Sequence, residues 1–140
     1  MSQRRVRTFF YGSFINQDVL KESGVEPREI EVAKLAGYDI RIEPLANLVR
    51  SEQHAVYGIL AGVTHRELEA LYSQDWVGVY HPEPVLAETR DGKLVPALCY
   101  ISPETDGSPA SADYIRRIVR PAEEYGFPGW FIERLKSFGK

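Results

Sequence analysis

The chain has 140 residues, 44 % of them hydrophobic and 26 % charged, with a net charge of −3. That is enough for one buried core, with the charge balance of an ordinary globular protein and no cationic excess to suit nucleic acid or an anionic membrane. One cysteine, Cys99, excludes an internal disulfide and a multi-cysteine zinc site, and the three histidines show no ligand spacing, so neither metal nor cofactor is expected. No apolar run has membrane length and no leader pattern is visible, which makes the cytoplasm the expected location. No repeat or low-complexity linker divides the chain, so residues 1–140 read as a single domain.

In chain order, the arginines at 4, 5 and 7 form a solvated lead-in to a β-branched and aromatic strand over 6–10. Gly12 lets the backbone turn sharply after Tyr11, and Ser13 and Asn16 are N-cap types for a short helix over 16–23 that Gly24 stops. Residues 29–35 and 37–42 alternate as strands, with a bend or bulge at Ala36-Gly37. A short extended piece at 46–49 and a polar turn at 51–54 precede a strongly apolar strand over 55–63. Within that strand Gly58 marks the close approach of another backbone or a ligand.

Thr64-His65-Arg66-Glu67 is a capping box that opens a helix burying Leu68 and Leu71 and running to about Tyr72. An aromatic loop holding Asp75 follows. Strands over 84–89 and 94–101 are then joined through Asp91-Gly92, a pair that tight hairpins prefer. After a Pro-, Gly- and Ser-rich loop over 102–110, Ser111 caps a helix presenting Tyr114, Ile115, Ile118, Val119 and Ala122 on one face, with a kink expected at Pro121. Gly126 closes it, and Pro128 is expected as the first residue of a last helix offering Phe131, Leu135 and Phe138. Six strands before two terminal helices suggest an α+β domain with a curled, largely antiparallel sheet.

Three features point to a small-molecule site. The Tyr11-Gly12-Ser13 turn gathers backbone N–H groups on one concave spot suited to a carboxylate or a developing oxyanion. Asp75 follows a helix and is flanked by Gln74 and Trp76; a carboxylate beside a large apolar ring loses solvent and becomes a better proton acceptor. Tyr57, Tyr80 and Tyr100, at strand ends and loops, each offer an apolar wall and one hydroxyl. Taken singly, each has a structural explanation as a turn, a surface acid or a core ring.

Together with Ala46-Asn47-Leu48-Val49, Val56-Tyr57-Gly58, and Leu71 before an acidic loop, this ordered set resembles the gamma-glutamylcyclotransferase-like proteins. The tail adds Pro109-Ala110-Ser111-Ala112-Asp113-Tyr114 and Tyr125-Gly126-Phe127-Pro128, similar to the family's Pro-Ser-x-x-Tyr helix and its Tyr-Gly-Leu-Pro ending. The resemblance runs from about Phe9 to Leu135 and implies a small mixed β-barrel, largely antiparallel and flanked by helices, with a cavity at its mouth. It also implies release of 5-oxoproline from a gamma-glutamyl amino acid or amine by attack of the substrate's own α-amine, without cofactor or metal.

By resemblance, Tyr11, Gly12 and Ser13 grip the substrate, Phe14 lies beside them, Tyr80 and Tyr100 are the site tyrosines, and the catalytic glutamate falls in the loop holding Gln74 and Asp75. Depending on register, Asp75 or Gln74 takes the glutamate position; Trp76 replaces a small residue there. Two readings follow: a cyclotransferase with Asp75 as catalytic base, or a binding module that kept the pocket without the chemistry. The expected partner is a small gamma-glutamyl compound rather than nucleic acid or membrane, the protein acting as monomer or homodimer.

Overall fold

The computed structural model describes residues 4–103 and 107–139. Among them are the strands β1 (Arg5–Phe10), β2 (Arg28–Ile42), β3 (Ala46–Thr64), β4 (His81–Thr89) and β5 (Leu94–Ile101). The helices are α1 (Gln17–Glu22), α2 (His65–Tyr72), α3 (Ala112–Glu124) and α4 (Gly129–Ser137), with a 3-10 turn at Gly12–Ile15. The strands close into a barrel in the order β1-β3-β2-β4-β5. Every neighbouring pair is antiparallel except β5 with β1, whose parallel pairing at Thr8 and Leu98 shuts the barrel. The fold is therefore mixed α+β, and the barrel interior is the core, with Phe9, Leu60, Val56 and Cys99 inaccessible to solvent.

The strand count differs from the expected six because long-range pairing overrides local polarity. Residues 29–35 and 37–42 belong to one strand, β2, bent by a register shift between Ala36 and Tyr38. The polar stretch 51–54 stays inside β3: pairing with β2 jumps from Ala36–Ala55 to Tyr38–Arg50, leaving those residues as a bulge rather than a turn. Within it the Ser51 hydroxyl and His54 Nδ1 are hydrogen-bonded at 2.5 Å.

Gly58 approaches a backbone, not a ligand. A Cβ there would lie 2.2 Å from the Phe10 carbonyl oxygen and 2.7 Å from the Phe9 ring, so β1 lies flat against β3 only because the side chain is missing. Helix α3 runs through Pro121 without interruption. Proline has no N–H for the Arg117 carbonyl four residues back, and the Asn16 side-chain amide donates to that oxygen instead, at 2.9 Å. The same Asn16 caps α1 with its oxygen, at 2.9 Å from the Asp18 nitrogen, so one side chain ties α1 to α3. Pro128 is the N-cap of α4 in extended conformation, one residue outside the expected helical position. Arg134 of α4 holds the buried Asp39 of β2 through two hydrogen bonds of 2.7 and 3.3 Å, which fixes the last helix on the barrel.

The capping box is formed as expected: the Glu67 N–H donates to the Thr64 hydroxyl and the Thr64 N–H to the Glu67 carboxylate. The other Glu67 oxygen accepts from the Glu26 N–H at 2.8 Å. Burial raises the pKa of this carboxyl, but the Glu26 and Thr64 amides, with the Arg5 charge, outweigh it and hold the group below its ordinary value. A carboxyl lowered on folding stabilises fully at neutral pH and ceases to as pH falls through the lowered pKa. Glu67→Gln is therefore expected to cost about 1 kcal/mol near neutrality and progressively less on acidification, as read from urea midpoints over a pH series. Among the described residues no helix is long and apolar enough to cross a membrane.

Candidate functional site

At the end of β1, Tyr11 is still extended, and Gly12 then turns at φ +63, a left-handed value that opens the 3-10 turn. Above it lies Ala46, the first residue of β3; a Cβ on Gly12 would come within 2.3 Å of the Ala46 Cβ. Ala46 is gripped from both sides. Its N–H donates to the Tyr114 hydroxyl oxygen at 2.9 Å, and its carbonyl accepts from the Tyr80 hydroxyl at 2.6 Å. Tyr114 projects from the first turn of α3, where the Ser111 hydroxyl oxygen caps its N–H at 3.1 Å. The Tyr11 hydroxyl crosses the barrel mouth to the Tyr100 carbonyl at 2.6 Å. Sequence-distant segments thus meet through tyrosine hydroxyls on main-chain groups.

These residues enclose a cavity of about 20 Å³ lined by Tyr11, Ser13, Phe14, Tyr72, Trp76 and Tyr114, with Tyr80 beside them. Its volume is that of about one water. Phe14 lines it edge-on to Tyr72 at 5.5 Å and to Trp76 at 5.9 Å, while Tyr72 stacks flat on Tyr100 at 4.0 Å. Burial pushes the Tyr11, Tyr72, Tyr80 and Tyr100 phenols up. It raises Tyr114 too, against the opposing pull of hydrogen bonds from Ser13 and Ala46. All five therefore stay protonated at neutral pH. The same burial, with Glu83 near it, brings Cys99 up to about 12, so the thiol is an inert core group.

The turn, Phe14 and Tyr80 are brought together. The Ala46 N–H donates to the Tyr114 phenol, which lines the same cavity as Ser13. Tyr100 supports the cavity from behind, as the surface on which Tyr72 stacks. Tyr57 lies elsewhere, against Phe127, Trp130 and Phe131.

Asp75 is exposed, so the neighbouring indole does not take it out of water as the sequence suggested; the Trp76 ring turns toward Phe14 instead. Asp75 lines a second, outer groove of about 330 Å³ together with Glu43, Asn47 and Ser102. That groove shares Leu45, Trp76, Val77 and Tyr80 with the inner cavity, so these residues, Trp76 among them, form the wall common to both. Gln74 faces the other way, donating to the Leu71 carbonyl at 2.9 Å and accepting from the Ser23 hydroxyl. Sequence reasoning gave no site role to Tyr72, nor to Ala46 and Tyr114, which it quoted within the motifs that carry the resemblance. Their roles depend on strands and helices far apart in the chain; only the Ser111 cap, which aims the first turn of α3, was locally visible.

A closed mixed barrel, an aromatic cavity at its mouth and a strand–glycine turn beneath it define the gamma-glutamyl cyclotransferase fold. A solved structure described as gamma-glutamyl cyclotransferase superposes with a TM-score of 0.81 at 22 % identity, covering 95 % of this chain and 87 % of that one. The chain belongs to the AIG2-like, gamma-glutamylcyclotransferase-like family, whose AIG2-like model matches residues 55–135. Curated gamma-glutamylcyclotransferases of Mus musculus and Homo sapiens are each 27 % identical over 95 residues, 66 % of this chain. The chain spans about half the length of these relatives, 50 % of each.

Proposed function

We propose that the protein releases 5-oxoproline from a gamma-glutamyl amino acid or amine, with Asp75 as the general base. The observation that carries this reading is the shared wall. Asp75 lines the outer groove and a cluster of phenols lines the inner cavity, and both voids share Trp76, an indole that is 48 % exposed and in edge contact with Phe14. Such an aromatic contact is worth about 1 kcal/mol, so a guest of modest affinity displaces the ring and joins groove to cavity.

In the joined space the Tyr11-Gly12-Ser13 turn and Tyr80 hold the gamma-glutamyl group, with Phe14 and Tyr100 supporting its walls. Folding the substrate on itself brings its α-nitrogen to its γ-carbonyl carbon, which supplies much of the barrier reduction. Asp75 takes a proton from the α-ammonium, which frees the nitrogen lone pair to form the new C–N bond while the carbonyl π pair moves onto oxygen. Asp75 passes that proton to the leaving nitrogen and takes the ring nitrogen's second proton. The oxygen pair then re-forms the carbonyl and expels the other amine, which takes the second proton from Asp75. The products are 5-oxoproline and a free amine; no water is consumed and the scheme uses no cofactor.

The exposure of Asp75 favours the second reading, a binding module without turnover. The two separate in one assay of 5-oxoproline release over a panel of gamma-glutamyl amino acids and amines, run on wild type and Trp76→Ala. Turnover by the wild type, with KM lowered several-fold in Trp76→Ala because no indole must be displaced, is the expected result. No product from either protein, with a Tm raised by the same ligands, leaves only the binding module.

A further inference from the structure

The structure assigns a ligand-directed role to Tyr72: we propose that its hydroxyl donates a hydrogen bond to the oxyanion that forms on the substrate's γ-carbonyl. This deepens the cyclotransferase reading and rests on it. Of the tyrosines that line the cavity, Tyr11 donates to the Tyr100 carbonyl, Tyr80 donates to the Ala46 carbonyl, and the Tyr114 oxygen accepts from the Ala46 amide. Tyr72 lines the same cavity, and its hydroxyl has no hydrogen-bond partner among the described residues. No enclosed side-chain oxygen in the described structure lacks a partner, so the Tyr72 oxygen is not sealed in the packing but opens onto free space.

Its ring is far from loose. It stacks at 9° on Tyr100 and meets Phe14 and Tyr80 at 5.5 and 5.9 Å, so three other rings orient a hydroxyl that the fold itself does not use. A hydroxyl held rigidly by its ring and open to the cavity, with no partner in the fold, is free to bond a guest that enters. Burial suppresses ionisation of this phenol, so it keeps its proton at neutral pH and meets the guest as a donor. A neutral, preorganised donor with no competing acceptor suits an oxygen that gains charge only in the transition state. The balanced step is the one above: as the α-nitrogen bonds to the γ-carbon, the π pair moves to oxygen, and the Tyr72 O–H bonds to that oxygen without transferring its proton.

Tyr72→Phe removes one oxygen and keeps the ring stack, so it separates ligand contact from folding. Steady-state 5-oxoproline release is compared for wild type and variant on whichever gamma-glutamyl compound the wild type turns over best, beside the Tm of each protein without ligand. The expected result is a fall in kcat of roughly a hundredfold, the effect of losing one oxyanion donor, with KM within about twofold and Tm unchanged or raised, since an unpaired hydroxyl contributes nothing to the fold. An unchanged kcat, or a change confined to KM, overturns the oxyanion role while the cyclotransferase reading stands. A Tm lowered by several degrees overturns it as well, because the hydroxyl then serves the fold. Absence of turnover in the wild type removes the underlying reading and this role with it.

Discussion

Asp75→Asn is expected to lower kcat for 5-oxoproline release by roughly a thousandfold, the middle of the range for losing a positioned general base. Asparagine has the same shape as aspartate and cannot accept the α-ammonium proton. The side chain is exposed on the turn after α2 and lines the outer groove, so the substitution takes nothing from the core. Tm is therefore expected to stay within about a degree of wild type, as for surface changes generally. Asp75→Glu is expected to keep activity, because the carboxylate base is retained on a side chain only one methylene longer. Equal rates for wild type and Asp75→Asn would exclude this acid from the mechanism and direct attention to Glu43, which lines the same groove within 3.9 Å of Arg41.

Gly12→Ala has the largest expected effect on stability. The added methyl would sit 2.3 Å from the Ala46 Cβ, and the backbone at Gly12 holds φ +63. A left-handed conformation costs an L-residue about 1 to 2 kcal/mol, and forcing a methyl into packed space costs a similar further amount. The sum is about 3 kcal/mol, which for a chain of this size lowers Tm by on the order of 10 °C. Ala46→Gly in the Gly12→Ala background removes the clashing atom and is expected to recover the steric share but not the backbone share. The double-mutant cycle thus measures the two causes separately. A loss well under 1 kcal/mol for Gly12→Ala would mean that β3 retreats freely from the turn, so that Ala46 does not hold the mouth of the barrel.

The features readable in advance are those decided by neighbours in sequence. Thr64 and Glu67 lie three residues apart and form their reciprocal cap. Asn16 and Ser111 stand where their side chains meet the next turn's amides. Asp91-Gly92 turns the β4–β5 hairpin, with the Gly92 N–H on the Thr89 carbonyl at 3.0 Å. Gly58 announced a close approach, and β1 supplies it. The polar residues 51–54, by contrast, read as a turn because local polarity says nothing of the long β2 partner that keeps them in register on either side.

What the residue order alone settled is a set of short-range matters: most of the turns between elements, which helices are capped, and that a glycine turn follows Tyr11 at the end of the first strand. The directions faced by Asp75 and Trp76 were settled elsewhere. Adjacent side chains on a turn have nearly equal local claims, and Phe14, sixty-two positions earlier than Trp76, breaks the tie by offering the indole an apolar edge. Which of the cavity-lining tyrosines is left with an unused hydroxyl is likewise a long-range outcome. It follows from closure of β5 onto β1, which brings carbonyls of β3 and β5 within reach of Tyr80 and Tyr11 and leaves none for Tyr72.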